Sequence, residues 1–219
     1  MLGRLAIAAM VLILASPSLG GEMKPADLHA AAAANDVALI KALLAQGAAI
    51  DARDDKGQTP LLVATHANNV AAAGALIQAG ADVNAKDAIN DSAYLYAGAR
   101  GHLEILKLTL AQGADLRSTN RFGGTALIPA SERGHVETVR TLIDAGVAVD
   151  HVNDLGWTAL LEAIILGDGG DRHVRIVQLL VDAGADINLA DKDGVTPLQH
   201  ARGRGYDRIA AILATAGAR

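Results

Sequence analysis

The chain has 219 residues, a formal net charge of −5 and no cysteine; half of it is apolar, yet only 2% is aromatic. A mild negative charge without a basic run or an aromatic platform excludes a simple binder of nucleic acid. The missing cysteines exclude disulfides and lipid attachment at an N-terminal cysteine. The core must be built from Ala, Leu, Ile and Val, small side chains that suit thin, closely stacked helices.

The first twenty residues differ from the rest. Arg4 supplies a positive start, residues 5–15 form an unbroken apolar run, and Ser16-Pro17-Ser18-Leu19-Gly20 ends it. Ser18 and Gly20 fit the small-residue positions of a signal-peptidase site, so residues 1–20 are expected to be a signal peptide cleaved before Gly21. The run is shorter than the ~20 residues a bilayer crossing needs, which disfavours the competing reading of an uncleaved anchor. A periplasmic or secreted protein, without a membrane span after cleavage, is the expectation.

Beyond this segment the chain repeats. Gly80-Ala81-Asp82, Gly113-Ala114-Asp115 and Gly184-Ala185-Asp186 each follow an apolar helical stretch, with weaker copies at Gly47, Gly146 and Gly217. From Gly47 to Gly146 the copies stand 33 residues apart; the step to Gly184 is 38, and the step to Gly217 is again 33. Asp54, Asp87, Asn120, Asn153 and Asp191 open successive units. Three residues on come Gly57, Asn90, Gly123, Gly156 and Gly194, which tolerate the left-handed backbone of a tight turn. Thr59, Ser92, Thr125, Thr158 and Thr196 follow at the place of a helix N-cap, and Pro60 and Pro197 suit a first helical position. A fixed period of this length predicts a stacked repeat protein.

These motifs resemble the ankyrin repeat. Thr59-Pro60-Leu61 and Thr196-Pro197-Leu198 match its helix opening, Gly101-His102-Leu103 and Gly134-His135-Val136 its second-helix opening, and Asp82-Val83-Asn84 its hairpin. The resemblance runs from about Ala26 to Arg219 and implies an all-α repeat solenoid with β-hairpin turns. About six units are expected: residues 21–53 as an N-terminal cap, then 54–86, 87–119, 120–152, 153–190 with an insertion, and 191–219 as a C-terminal cap. Ala93, Ala126 and Ala159 replace the family's proline. Asp207, Ala210 and Ala214 stand where interior units carry Val136, Val139 and Ile143, as expected of a terminal helix with no following neighbour.

Candidate chemistry is sparse. His102, His135 and His173 recur at the second-helix opening, and His29 and His200 lie near the first; residues repeated along a solenoid cannot converge on one ion. His66 and His151 read as isolated and exposed. Asp191-Lys192-Asp193-Gly194 has the start of a calcium loop but lacks the distal ligands, and the repeat explains all four residues. No cofactor or metal site and no catalytic group is expected, which disfavours an enzyme or small-ligand binder. Residues 167–172 are an insertion, read either as inert drift or as a contact loop or weak cation site using Asp168 and Asp171.

The resemblance implies a protein partner bound on the concave face formed by turn tips and first helices, by a chain expected to be monomeric. The residues mapped to that face include Ile89, Arg100, Arg121, Phe122, Arg133, Leu155, Trp157 and Arg204. Trp157 is open to two readings, partner contact or packing against adjoining turns. Similarity to small exported bacterial ankyrin proteins implies an inhibitor or protector that masks a hydrolase or toxin, or alternatively a scaffold for a stress-defence enzyme.

Overall fold

The computed structural model describes residues 25–219, so the expected signal peptide and its cleavage point lie outside the described residues. Twelve α-helices occur among the described residues, in consecutive pairs. They are α1 (Pro25–Ala33) with α2 (Val37–Ala45), α3 (Pro60–His66) with α4 (Val70–Gln78), and α5 (Ala93–Arg100) with α6 (Leu103–Ala111). Then come α7 (Leu127–Glu132) with α8 (Val136–Asp144), α9 (Ala159–Ile165) with α10 (Asp171–Asp182), and α11 (Pro197–Gly203) with α12 (Asp207–Thr215). Odd-numbered helices stack on one another in one layer and even-numbered helices in a second, which makes an all-helical solenoid.

The period of the sequence becomes a ladder of buried side chains. Leu28, Leu61, Tyr94, Leu127, Leu160 and Leu198 hold equivalent places on the odd helices, and all are buried. On the even helices Ile40, Ala73, Leu106, Val139 and Val177 form the matching row. Burying each large member removes apolar surface worth about 1.5–3 kcal/mol, so stability accumulates at the contact of each pair with the next. Between α5 and α7 the approach is close enough to require glycine: a Cβ on Gly98 would lie 2.8 Å from Ala126 Cβ.

The expected left-handed turn residues are confirmed, with positive φ at Gly57, Asn90, Gly123, Gly156 and Gly194. The side chain opening each tip closes it. Asp54 Oδ1 accepts from Lys56 N and Gln58 N, and Asp87, Asn120, Asn153 and Asp191 repeat both bonds. The expected β-hairpins do not form strands among the described residues; the tips are turns. Neighbouring tips share too few backbone bonds for a ladder, such as Ala88 N to Lys56 O at 3.2 Å and Asp154 N to Phe122 O at 3.0 Å. Other links are made by side chains: Asp115 N donates to Asn84 Oδ1 and Asp186 N to Asp150 Oδ1.

Helix capping follows the sequence at four of the five expected sites. Thr59, Ser92, Thr158 and Thr196 each accept from the backbone N–H three residues on. Thr125 does not. Helix α7 starts one residue late, Ile128 N donates to the Thr125 carbonyl instead, and the buried Thr125 hydroxyl has no partner among the described residues.

The insertion is partly helical. Asp171 and Arg172 begin α10, which at 12 residues is longer than the other even helices, and residues 167–170 make the turn before it. Asp168 Oδ1 lies 2.7 Å from His173 Nδ1, and Asp171 pairs with Arg208. The two carboxylates thus serve different partners rather than a shared cation. Tyr206 OH donates to Gly167 O at 2.9 Å, so the segment is tied to the next pair as well.

Candidate functional site

The tips and the ends of the odd helices form two parallel rows, and an open cleft of about 320 Å³ lies between them. Ile89, Phe122 and Leu155 are each the third residue of a tip, and the Asx bonds below fix their backbone. They are 48%, 53% and 50% exposed, far above the core around them. At the opposite wall stand Arg100, Arg133 and Leu166, each at the same place at or just beyond an odd-helix end. Tyr96, Pro129 and Glu162, one residue row inward, also line the cleft.

Five of the eight sequence-predicted contact residues line this cleft: Arg100, Arg121, Phe122, Arg133 and Leu155. Ile89 continues the apolar row on the preceding tip but falls outside the cleft lining, as does the exposed Arg204 on the last pair. Trp157 is half-buried and also outside the lining; its backbone N–H and C=O are both bonded to Asn153.

The charges fall into two groups. At one end Arg121 lies 3.6 Å from Asp91 and over the Phe122 ring at 4.8 Å, while Arg100 covers the Tyr96 ring and donates Nε to its hydroxyl at 3.2 Å. Burial raises the Asp91 carboxyl, opposed by Arg121. At the other end Glu162, only 5% exposed, accepts from Asn153 Nδ2 at 2.8 Å. Burial, reinforced by Glu132, pushes its carboxyl up to about 7, against the Asn153 bond and Arg133. Arg133 reaches Ala99 O at 2.8 Å and stands 3.9 Å from Glu132.

Sequence reasoning overlooked Glu162. Its signal is positional: it lies nine residues after Asn153, as His200 lies nine after Asp191, and both pairs are hydrogen-bonded. The histidines serve the framework. His102 Nδ1 meets Thr65 O, His173 Nε2 meets Glu132 O, and His29 Nε2 meets Gln58 O, each linking one pair to another. His66 and His151 were expected to be exposed, but both are half-buried. His66 stacks on Tyr96 at 4.1 Å, where burial lowers its pKa, and His151 Nε2 lies 2.6 Å from Gly123 O. Among the described residues no three metal-ligating side chains converge, and no helix is long and apolar enough to cross a membrane.

A two-layer stack of helix pairs with Asx-closed tips and an open cleft defines a repeat solenoid of the ankyrin class. The family model for ankyrin repeats (three copies) matches residues 11–87 and 94–191, and the chain belongs to that family. An ankyrin repeat domain from Acinetobacter baumannii AYE is 68% identical, with a TM-score of 0.86 over 88% of this chain and 98% of that one. The ankyrin repeat domain of Bcl-3, a member of the IkappaB protein family, is 27% identical with a TM-score of 0.79, covering 90% of this chain and 88% of that one. The putative ankyrin repeat protein YahD of Escherichia coli (strain K12) is 54% identical over 57 residues, a match spanning 26% of this chain and 28% of that protein. Ankyrin repeats mark the chain as a protein–protein interaction module, a fold that is typically a non-catalytic scaffold.

Proposed function

We propose that the chain is exported and binds a partner protein in the cleft between tips and odd helices. The observation that carries this is the gathering of exposed Phe122 and Leu155 with Arg100, Arg121 and Arg133 at one site. Aromatic and Arg side chains dominate interface energetics, and a truncated anchor typically costs about 2 kcal/mol, roughly thirtyfold in affinity. The leader-like residues 1–20 support export to a periplasm or secretion, and the partner is one of that compartment. Masking of a hydrolase or toxin is the favoured use; support of a stress-defence enzyme is the second, and each monomer acts alone in both.

The test is retention of periplasmic proteins on the immobilised mature chain, wild type against Phe122→Ala. A protein held by the first and released by the second supports the cleft, and equal retention by both counts against it. A retained hydrolase that loses activity in the complex supports masking; a stress-defence enzyme that keeps its activity longer in the complex supports the scaffold. A purified exported chain starting at Met1 would defeat the cleavable leader.

A further inference from the structure

Two ionisable groups lining the cleft have no ion-pair partner among the described residues. Arg100 has no carboxylate within ion-pair distance among the described residues; its contacts are the Tyr96 hydroxyl at 3.2 Å and the face of that ring. Glu162 has no cation within that distance among the described residues, and its hydrogen-bond partner is the neutral amide of Asn153. Cations with a carboxylate nearby, such as Arg121 with Asp91 and Arg133 with Glu132, leave these two as the odd members. A carboxylate buried without a counter-charge costs several kcal/mol unless a cation reaches it or it takes a proton. Since Glu162 lines an open cleft, a cation can reach it from outside.

The two groups sit at opposite ends. Arg100 closes α5 and Glu162 lies on α9, with α7 stacked between those helices. Two helix-packing steps put them roughly 16–20 Å apart, the span of about five or six residues of extended chain. Phe122, on the tip that belongs to α7, stands between the two ends and offers apolar surface. Beside Glu162 the cleft walls are Leu155 and Leu166, both half exposed, which suit the aliphatic stem of a lysine or arginine whose charged head goes deeper.

We infer that the cleft selects a segment of a partner protein that brings a Lys or Arg side chain onto Glu162 and an Asp or Glu side chain onto Arg100, with an apolar residue between them on Phe122. This rests on the cleft being the binding site and adds what it recognises. Charge complementarity argues for this occupant: the segment supplies each unmatched group with its counter-ion, whereas a uniformly acidic or basic segment would meet a like charge at one end. Among the other charged groups felt by Glu162, Glu132 raises its carboxyl more than Arg133 lowers it, so the protein itself does not hold it ionised. An incoming ammonium therefore decides its ionisation, and binding expels the proton Glu162 holds near neutral pH.

The probe is a displayed library of random twelve-residue peptides, selected on the mature chain. The tightest peptide is then measured by calorimetry against wild type, Glu162→Gln, Arg100→Gln and Phe122→Ala. Glu162→Gln keeps the shape and can still accept from Asn153, so its fold is retained, and circular dichroism checks this. Selected peptides should pair a base with an acid around an apolar residue. Glu162→Gln should weaken the tightest by about tenfold or more, and neutralising the peptide's base should then add nothing further, because the two changes remove one contact. Wild-type affinity should rise as pH goes from 6 to 8, with proton release, while Glu162→Gln stays flat. Selected peptides without a base, or an affinity within twofold in Glu162→Gln, overturn the charge selection. If Phe122→Ala still abolishes binding in that case, the cleft survives as the site. If Phe122→Ala also has no effect, or nothing is selected, both readings fall.

Discussion

Asn153 and Glu162 are joined by a 2.8 Å bond from the side chain that opens a tip to one on the helix beneath it, and Asp191 and His200 repeat that link at 2.7 Å one pair later. The positions are equivalent but the chemistry is inverted. In the last pair the acid is on the tip, where the His200 bond and the N–H groups of Val195 and Asp193 hold it below the usual carboxylate range. In the preceding pair the acid is on the helix, buried, and bonded only by an amide, so its carboxyl is raised to about 7.

Glu162 therefore makes stability depend on pH in a definite direction. With its folded value above the ordinary 4.5, the folded state holds the extra proton between roughly pH 4.5 and 7. This contribution is full below that window and is lost as pH rises through about 7. Relative to Glu162→Gln, the wild type should lose about 1–3 kcal/mol between pH 4.5 and 8. His66, His102 and His135 are lowered by burial and act in the opposite sense, destabilising as pH falls, but they are common to both proteins and cancel in the difference. Urea titrations at the two pH values measure it; parallel pH profiles would sink the assignment.

The contact of α5 with α7 predicts a size swap. Gly98→Ala places a methyl 2.8 Å from Ala126 Cβ, and overpacking of that kind costs about 1–3 kcal/mol, offset in part by the better helix propensity of Ala. Adding Ala126→Gly should restore most of the midpoint. A single Gly98→Ala variant at least as stable as wild type would show that α5 and α7 separate freely.

Two threonines at equivalent positions should respond oppositely. Thr158 caps α9 through Leu161 N, so Thr158→Val should cost about 1 kcal/mol. Thr125 buries a hydroxyl with no partner, so Thr125→Val, of the same shape, should be neutral or stabilising by about 1 kcal/mol. Thermal melts of the two variants decide it, and equal losses would mean that Thr125 caps α7 after all.

The insertion should behave as part of the framework. His173 is buried and bridges Asp168 to the Glu132 carbonyl, so His173→Ala should cost about 1–3 kcal/mol and speed amide exchange at residues 167–170. Exchange as fast in the wild type as in the variant would return the segment to the status of a loose loop.

Much of the binding face could be read before folding because the repeat converts position into place. Phe122 and Leu155 occupy the third residue of their tips and Arg100 and Arg133 the ends of odd helices, so counting by 33 puts them side by side. Glu162 escaped the same counting. Its row reads Val63, Tyr96, Pro129, Glu162 and His200, a mixture with no shared chemistry to mark a function. The failed cap at Thr125 was equally hidden, since it follows from the late start of α7 and not from the identity of the threonine.

The sequence by itself determined the period, the paired helices, the left-handed tip residues and the apolar ladder, because each depends on contacts within a unit or with its immediate neighbour. Tertiary structure alone decided what depends on distances across several units. It left Arg100 on Tyr96 with no carboxylate within ion-pair distance among the described residues, buried Glu162 beside Glu132 and tied His173 into the preceding pair. It also turned the expected hairpins into turns closed by side chains. Local propensity acts along the chain, whereas burial and charge act through space; the stacking of α5, α7 and α9 brings those distant charges into one cleft.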